Sequence, residues 1–150
     1  MRAMIQRVSW ASVTIDEWEM SRIESGLLIF LGIEHCDDES DIPWLAGKIA
    51  KLRIFADVDG KMNRSVIDIA GGLLVVSQFT LHASTNKGSR PSFVRAAAPE
   101  RAEPLYEQFC RELGIAADLS VSRGVFGADM KVGLLNDGPV TIQIDSRKRE

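Results

Sequence analysis

The apolar positions of the chain fall into two kinds of run. Leu73-Leu74-Val75-Val76 follows Gly71-Gly72, and Leu27-Leu28-Ile29-Phe30-Leu31 follows Gly26 and is closed by Gly32. Both are unbroken, which predicts strands buried on both faces. Residues 3–15 instead alternate loosely and are rich in β-formers (Ile5, Val8, Trp10, Val13, Ile15), predicting one or two strands, with Asp16-Glu17 as a turn and Met20 to Glu24 as the return strand. Helical spacing appears twice. Ile42, Leu45, Ile49 and Leu52 follow a Ser40 or Asp41 cap, with Pro43 in the first turn; Ala102, Leu105, Tyr106, Phe109 and Leu113 form the stripe of a helix from Pro99, ended by Gly114. Arg53-Ile54-Phe55 and Leu119 to Ser122 read as short strands, and Asp57-Val58-Asp59-Gly60 as a turn or hairpin tip. Met130, Val132 and Leu134 alternate as a further strand. Asn136-Asp137-Gly138-Pro139 breaks the chain, and Val140 to Ile144 is the last strand. The elements predict an α+β fold: a largely antiparallel β-sheet or barrel-like core backed by two main helices, one domain over residues 1–150 with 146–150 a frayed tail.

Composition narrows the class. The 150 residues are the size of one domain. No apolar run approaches the roughly 18 residues of a membrane span, so no membrane association is expected. Met1 to Arg7 leads into alternating residues without an apolar signal region, and Cys36 and Cys110 lack metal-type spacing, so a reducing, cytoplasmic setting is expected. The net charge of −3 argues against holding nucleic acid by bulk electrostatics. Positive charge is nevertheless clustered, at Lys48, Lys51 and Arg53, at Lys87, Arg90 and Arg95, and at Arg147-Lys148-Arg149. Each cluster reads as a solvated face or a phosphate site. Asp57-x-Asp59-Gly60 has the start of a calcium loop but lacks its distal glutamate. No metal or cofactor is expected.

Candidate chemistry begins where the most apolar run ends. Ser77, Gln78 and Thr80 follow Val76 directly, and an unpartnered polar group in the interior costs roughly 1–3 kcal/mol. Either the strand emerges into a ligand pocket there, or these residues cap it and start a turn. The G-x-S-x-G elbow, P-loop, H-E-x-x-H and C-x-x-C patterns are missing. Thr80 and His82 share a face if the strand continues, giving a nucleophile–base pair for a small ester hydrolase. What remains is backbone. A strand end turning at residues 77–80 presents N–H groups, and Asp137-Gly138-Pro139 presents carbonyls, with an X–Pro bond able to adopt cis. The second stretch reads equally as a glycine turn before an edge strand.

Ser77-Gln78-Phe79-Thr80-Leu81 together with Asn136-Asp137-Gly138-Pro139-Val140-Thr141 resembles the paired signature of the D-aminoacyl-tRNA deacylases. Flanking blocks agree in order: Ile5-Gln6-Arg7-Val8, Gly60-Lys61-Met62-Asn63, Arg90-Pro91-Ser92-Phe93 and Ala128-Asp129-Met130. The resemblance spans nearly the whole chain. It implies hydrolysis of the ester joining a D-amino acid, or glycine, to the terminal adenosine of tRNA, by a homodimer with its active site at the subunit interface. In that picture Gly138-Pro139, with a cis bond, enters the partner's pocket and its carbonyls hold the substrate's amino group, braced by Arg7. Ser77, Gln78, Phe79 and Thr80 supply the catalytic floor and N–H groups, Phe126 helps shape the pocket, and the substrate's own 2′-hydroxyl assists catalysis. Lys87 and Arg90 are the expected RNA contacts. A non-catalytic module binding the aminoacyl-adenosine end of tRNA is the alternative.

Overall fold

The computed structural model describes residues 1–149. Strand β1 (Arg2–Ile15) is the spine of the sheet. One edge pairs antiparallel with β2 (Trp18–Ile23) and β3 (Gly26–Gly32), the other with β8 (Lys131–Asp145). Beyond β3 the pairing becomes parallel, to β6 (Gly72–Ser77) and then β7 (Val121–Arg123). Parallel neighbours need long crossovers. Helix α1 (Asp41–Ala50) and the ribbon β4 (Phe55–Ala56) with β5 (Met62–Arg64) fill the first, and α2 (Pro99–Ala117) the second. The sheet curls until β7 comes back to β2, where the Ser21 hydroxyl donates to the Arg123 carbonyl at 2.9 Å. The result is the α+β, nearly closed barrel that the pattern predicts.

The curl explains the unbroken apolar runs. Leu27, Ile29, Leu73 and Val75 face the two helices, while Leu28, Leu74 and Val76 face the barrel interior with Val8 and Val13. Burial on both faces leaves these strands no solvated side on which polar residues could alternate. Their entry points are unusually close: Gly26 and Gly72 sit in register, and a Cβ on Gly26 would lie 2.0 Å from the Gly72 carbonyl oxygen.

Helix α2 does not stop at Gly114 but runs on to Ala117, whose side chain is buried, and Asp118 takes the left-handed C-cap at φ 51°. The apolar stripe continues from Leu113 to Ala117 at helical spacing, and that burial outweighs the glycine stop signal. Nor is the tail frayed. The Met1 ammonium is buried against Asp37 (2.6 Å) and donates to Ser146 Oγ (2.7 Å). Ser146 Oγ in turn donates to Asp41 at 2.8 Å, and Arg147 bridges Asp37 and Asp41. Arg149 lies over the Trp44 ring at 4.2 Å. These charges satisfy one another, which fixes the segment through Arg149. Glu150, the last residue of the expected tail, lies outside the described residues.

Candidate active site

A cavity of about 610 Å³ opens where β3 and β6 end. Ser77, Gln78 and Phe79 form one wall, and Phe93, Phe126 and Met130 close others. Beneath it Tyr106 donates to the Val75 carbonyl at 2.9 Å and packs on Phe126 with centroids 5.9 Å apart. Burial raises the Tyr106 pKa and pushes the neighbouring Cys110 thiol up to about 12. Both groups therefore stay neutral and structural. Phe79 is half exposed and meets Phe93 edge-on at 5.0 Å, making an aromatic lip.

The polar residues at this strand end begin a turn and line a pocket at once. After Ser77 the chain leaves the sheet into a single 3₁₀ turn, Phe79–His82. The Gln78 N–H is committed to the Leu31 carbonyl at 2.8 Å. The N–H groups of Phe79 and Thr80 open the turn, where helical geometry offers no acceptor, and neither has a hydrogen-bond partner among the described residues. They are free donors beside the cavity, and of the expected set Gln78 contributes its side chain rather than its amide N–H. Gln78 Nε2 donates to Thr80 Oγ1 at 2.6 Å.

The turn also separates Thr80 from His82. A 3₁₀ turn replaces the two-residue alternation on which their pairing rested. The His82 ring is buried and neither nitrogen has a hydrogen-bond partner among the described residues. Burial is the main cause of its pKa lying below the ordinary 6.5; the Arg2 charge pushes the same way, while the Gly32 backbone, Glu34 and Asp37 oppose. Thr80 therefore has no histidine base. The unfolded chain protonates His82 as pH falls through 6.5, whereas the folded chain resists. This contribution leaves stability intact above that pH and removes at most about 1.4 kcal/mol per pH unit on acidification, until the lowered folded pKa is reached. Urea midpoints taken from about pH 7.5 to about pH 5.5 are expected to fall further for the parent than for His82→Leu. Equal losses would contradict this.

The second signature lies elsewhere in the chain. Residues 136–139 do not break β8, which is continuous over 131–145, but they do slip its register. Asn136 pairs with Val8 and Thr141 with Gln6, so residues 137–140 bulge out opposite Arg7 alone. Asn136 closes the bulge: its Nδ2 donates to the Val140 carbonyl at 3.0 Å and its Oδ1 accepts from the Val140 N–H at 3.2 Å. Arg7 fills it. Its guanidinium donates to the Asp137 carbonyl at 2.9 Å and to the Ile54 carbonyl, and pairs with the Asp137 carboxylate at 3.2 Å. Gly138 and Pro139 form the exposed crest, joined by a cis peptide bond, with Gly138 at φ 144°. Arg7, Gly138 and Pro139 do not line the cavity of their own chain.

Of the expected residues, then, the fold gathers Ser77, Gln78, Phe79 and Phe126 at the cavity, with Thr80 on the turn beside it. It keeps Arg7, Gly138 and Pro139 together on the β8 bulge. Lys87 and Arg90 are exposed on a loop whose base is pinned by paired Ser84 and Ser92 backbone bonds of 2.8 and 2.9 Å. Sequence reasoning missed Asn136 as the staple, Met130 as a wall, and the pairing of Phe93 with Phe79. Phe93 was legible only as part of a flanking block. Asp129 is the one titratable side chain on the cavity wall, and it is exposed and paired with Lys131 at 3.1 Å. The cavity thus offers main-chain donors and aromatic surface, with no buried acid or base.

A family model described as D-Tyr-tRNA(Tyr) deacylase matches residues 4–145. D-aminoacyl-tRNA deacylases of Akkermansia muciniphila and Bacteroides fragilis are 61% and 58% identical over 150 residues, covering 100% of both chains in each pair. Among solved structures, the c-Myc DNA Unwinding Element Binding Protein is 40% identical with a TM-score of 0.90, over 97% of this chain and 98% of that one. A probable eukaryotic D-amino acid tRNA deacylase shares the fold at 17% identity and a TM-score of 0.81, over 95% of this chain and 97% of that one. With identity this high across the full length, and both signature stretches in place, the chain belongs to the D-Tyr-tRNA(Tyr) deacylase family and is a hydrolase.

Proposed function

We propose that this enzyme hydrolyses the ester of D-aminoacyl-tRNA at the cavity beside Ser77–Thr80, using main-chain groups in place of catalytic side chains. The observation that carries the reading is a cavity with no buried titratable wall, next to two unpartnered N–H groups. The terminal adenosine occupies the aromatic-lipped cavity, whose volume suits a ligand of that size. Water attacks the ester carbonyl with help from the ribose 2′-hydroxyl. The oxyanion accepts from the Phe79 and Thr80 N–H groups, and the bond to the ribose oxygen breaks to release amino acid and tRNA. One preorganised oxyanion donor contributes roughly 10²–10³ in rate, so two acting on an activated ester suffice without a histidine.

Chirality is read by a second copy of the chain. The crest at Gly138-Pro139 is exposed and sits on β8, a long strand paired on one edge only, and such edges invite further association. In a homodimer the partner's crest enters the cavity, and its carbonyls hold the substrate's amino group. A D-side chain then projects outward, an L-side chain collides, and glycine fits as well, so glycyl-tRNA is also a substrate. Lys87 and Arg90 reach the RNA from their loop, and the reaction takes place in the cytoplasm, where aminoacyl-tRNA is used.

Comparative hydrolysis of D-tyrosyl-, L-tyrosyl- and glycyl-tRNA tests the reading. Turnover of the D- and glycyl esters with the L-ester spared is the expected result. Persistence of all three at high enzyme concentration would return the chain to a non-catalytic module. Thr80→Ala is expected to keep kcat within about tenfold, because a hydroxyl outside the bond-making steps contributes only through positioning. A drop of about 10⁴-fold or more with intact folding would make Thr80 a nucleophile instead.

A further inference from the structure

Two basic clusters that lie a hundred residues apart in sequence converge in the fold. Arg2, Lys48, Lys148 and Arg149 line one groove of about 460 Å³, floored in part by Trp44. Among the described residues Asp145 is the one carboxylate lining it, and that charge is already taken by the Arg2 guanidinium at 3.1 and 3.3 Å. Lys48, Lys148 and Arg149 have no carboxylate within ion-pair distance among the described residues. The Arg149 guanidinium sits over the Trp44 ring, so its charge is held at the groove rather than free to swing away. On a chain of net charge −3, four basic side chains against one carboxylate among the described residues of a concave site form a local reversal of sign.

The groove shares an end of the sheet with the active-site cavity. Asp145 pairs with Arg2, Arg2 with Gly32, and the next strand over carries Ser77 opposite Leu31. At about 4.8 Å per strand this places the groove edge roughly 14 Å from Ser77. Arg2 spans the gap, donating to the Leu81 carbonyl of the 3₁₀ turn at 2.6 Å. A polyanion whose end sits in the cavity therefore meets this groove within a few nucleotides. We infer that the groove binds the phosphodiester backbone of the tRNA acceptor arm. The identity of the RNA rests on the deacylase reading; the polyanion site rests on the groove alone.

The test is the affinity of the full chain for uncharged tRNA as a function of salt, for the parent and for Lys48→Ala/Lys148→Ala. Both lysines are exposed and their side chains make no hydrogen bond or ion pair among the described residues, so the double variant is expected to keep its melting temperature. Each lost phosphate contact removes close to one from the slope of log affinity against log salt. The slope is expected to shrink by about 1.5–2, and affinity to fall on the order of tenfold at about 0.1 M salt. Lys48→Arg/Lys148→Arg, which keeps the charges, is expected to restore both. Parental slope and affinity in the alanine variant would overturn the inference and leave the groove to an acidic protein partner. Because the readout is binding, the two readings fail separately. A parent that binds tRNA through these lysines yet leaves D-tyrosyl-tRNA intact sinks only the deacylase reading.

Discussion

Gly138→Ala is expected to lower the preference for D- over L-tyrosyl-tRNA by about 10²-fold, with the fold intact. The crest residue sits at φ 144°, a conformation that L side chains rarely adopt, and a Cβ there would lie 2.7 Å from Val140 Cγ2 and 3.1 Å from Arg7 Nη2. Neither neighbour can yield without consequence. Val140 belongs to the Asn136 staple and Arg7 is the brace that holds the Asp137 carbonyl. The added methyl group therefore moves the crest as a whole. A displacement near 1 Å in the proposed clamp on the amino group is enough for a loss of this order. Because the crest itself is exposed, the change in melting temperature is expected to be smaller than that of Gly26→Ala below. kcat/KM measured for both esters checks the effect, and an unchanged ratio would remove Gly138 from chiral selection.

Gly26→Ala is expected to destabilise the fold by about 3 kcal/mol or more, lowering Tm by roughly 6–12 °C. The new methyl carbon would stand 2.0 Å from the Gly72 carbonyl oxygen, and that oxygen is part of a backbone held in register by the β3–β6 ladder. A flexible side chain could rotate away; a ladder cannot. The contrast is Gly47, inside α1, where an added Cβ meets nothing within 4 Å. Gly47→Ala is expected to stabilise by about 0.5–1 kcal/mol through helix propensity. Thermal melts of the two variants side by side separate close backbone approach from general intolerance at glycine. A Tm for Gly26→Ala within a degree or so of the parent would contradict the packing described for these strands.

These glycines show what a sequence can and cannot disclose. Gly26 and Gly71-Gly72 read correctly as punctuation before buried strands, but their spatial meeting depends on parallel pairing, which no local pattern encodes. Both helices and the strands of the main sheet were legible because burial imposes periodicity or, on two faces, an unbroken apolar run; the short β5, exposed throughout, was not. The end of α2 was not, because burial of Ala117 overrode the local stop at Gly114. The stretch 136–139 read as a break, since Gly-Pro ends most strands; the bulge survives through Arg7 and Asn136, long-range partners invisible in the tetrapeptide. Thr80 and His82 looked paired only under the assumption of continued alternation, which the 3₁₀ turn cancels. The tail read as frayed for want of apolar residues. Its anchors are charges at the other end of the chain. At the site, the signatures disclosed which backbone segments matter, but not which N–H groups remain free.

In the proposed homodimer each working site takes its cavity from one copy and its chiral clamp from another. Mixing two variants defective in different halves of the site tests it most directly: Gly138→Ala, which spoils the clamp and its selectivity, and Ala128→Trp, which fills the cavity from its wall. In a dimer of one variant with the other, one composite site inherits both defects and its twin inherits neither. After subunit exchange at equal concentrations, D-selective hydrolysis is expected to recover to about a quarter of the parental rate, the share of sites left intact in a symmetric dimer. A mixture no more active or selective than its separate components would contradict the claim.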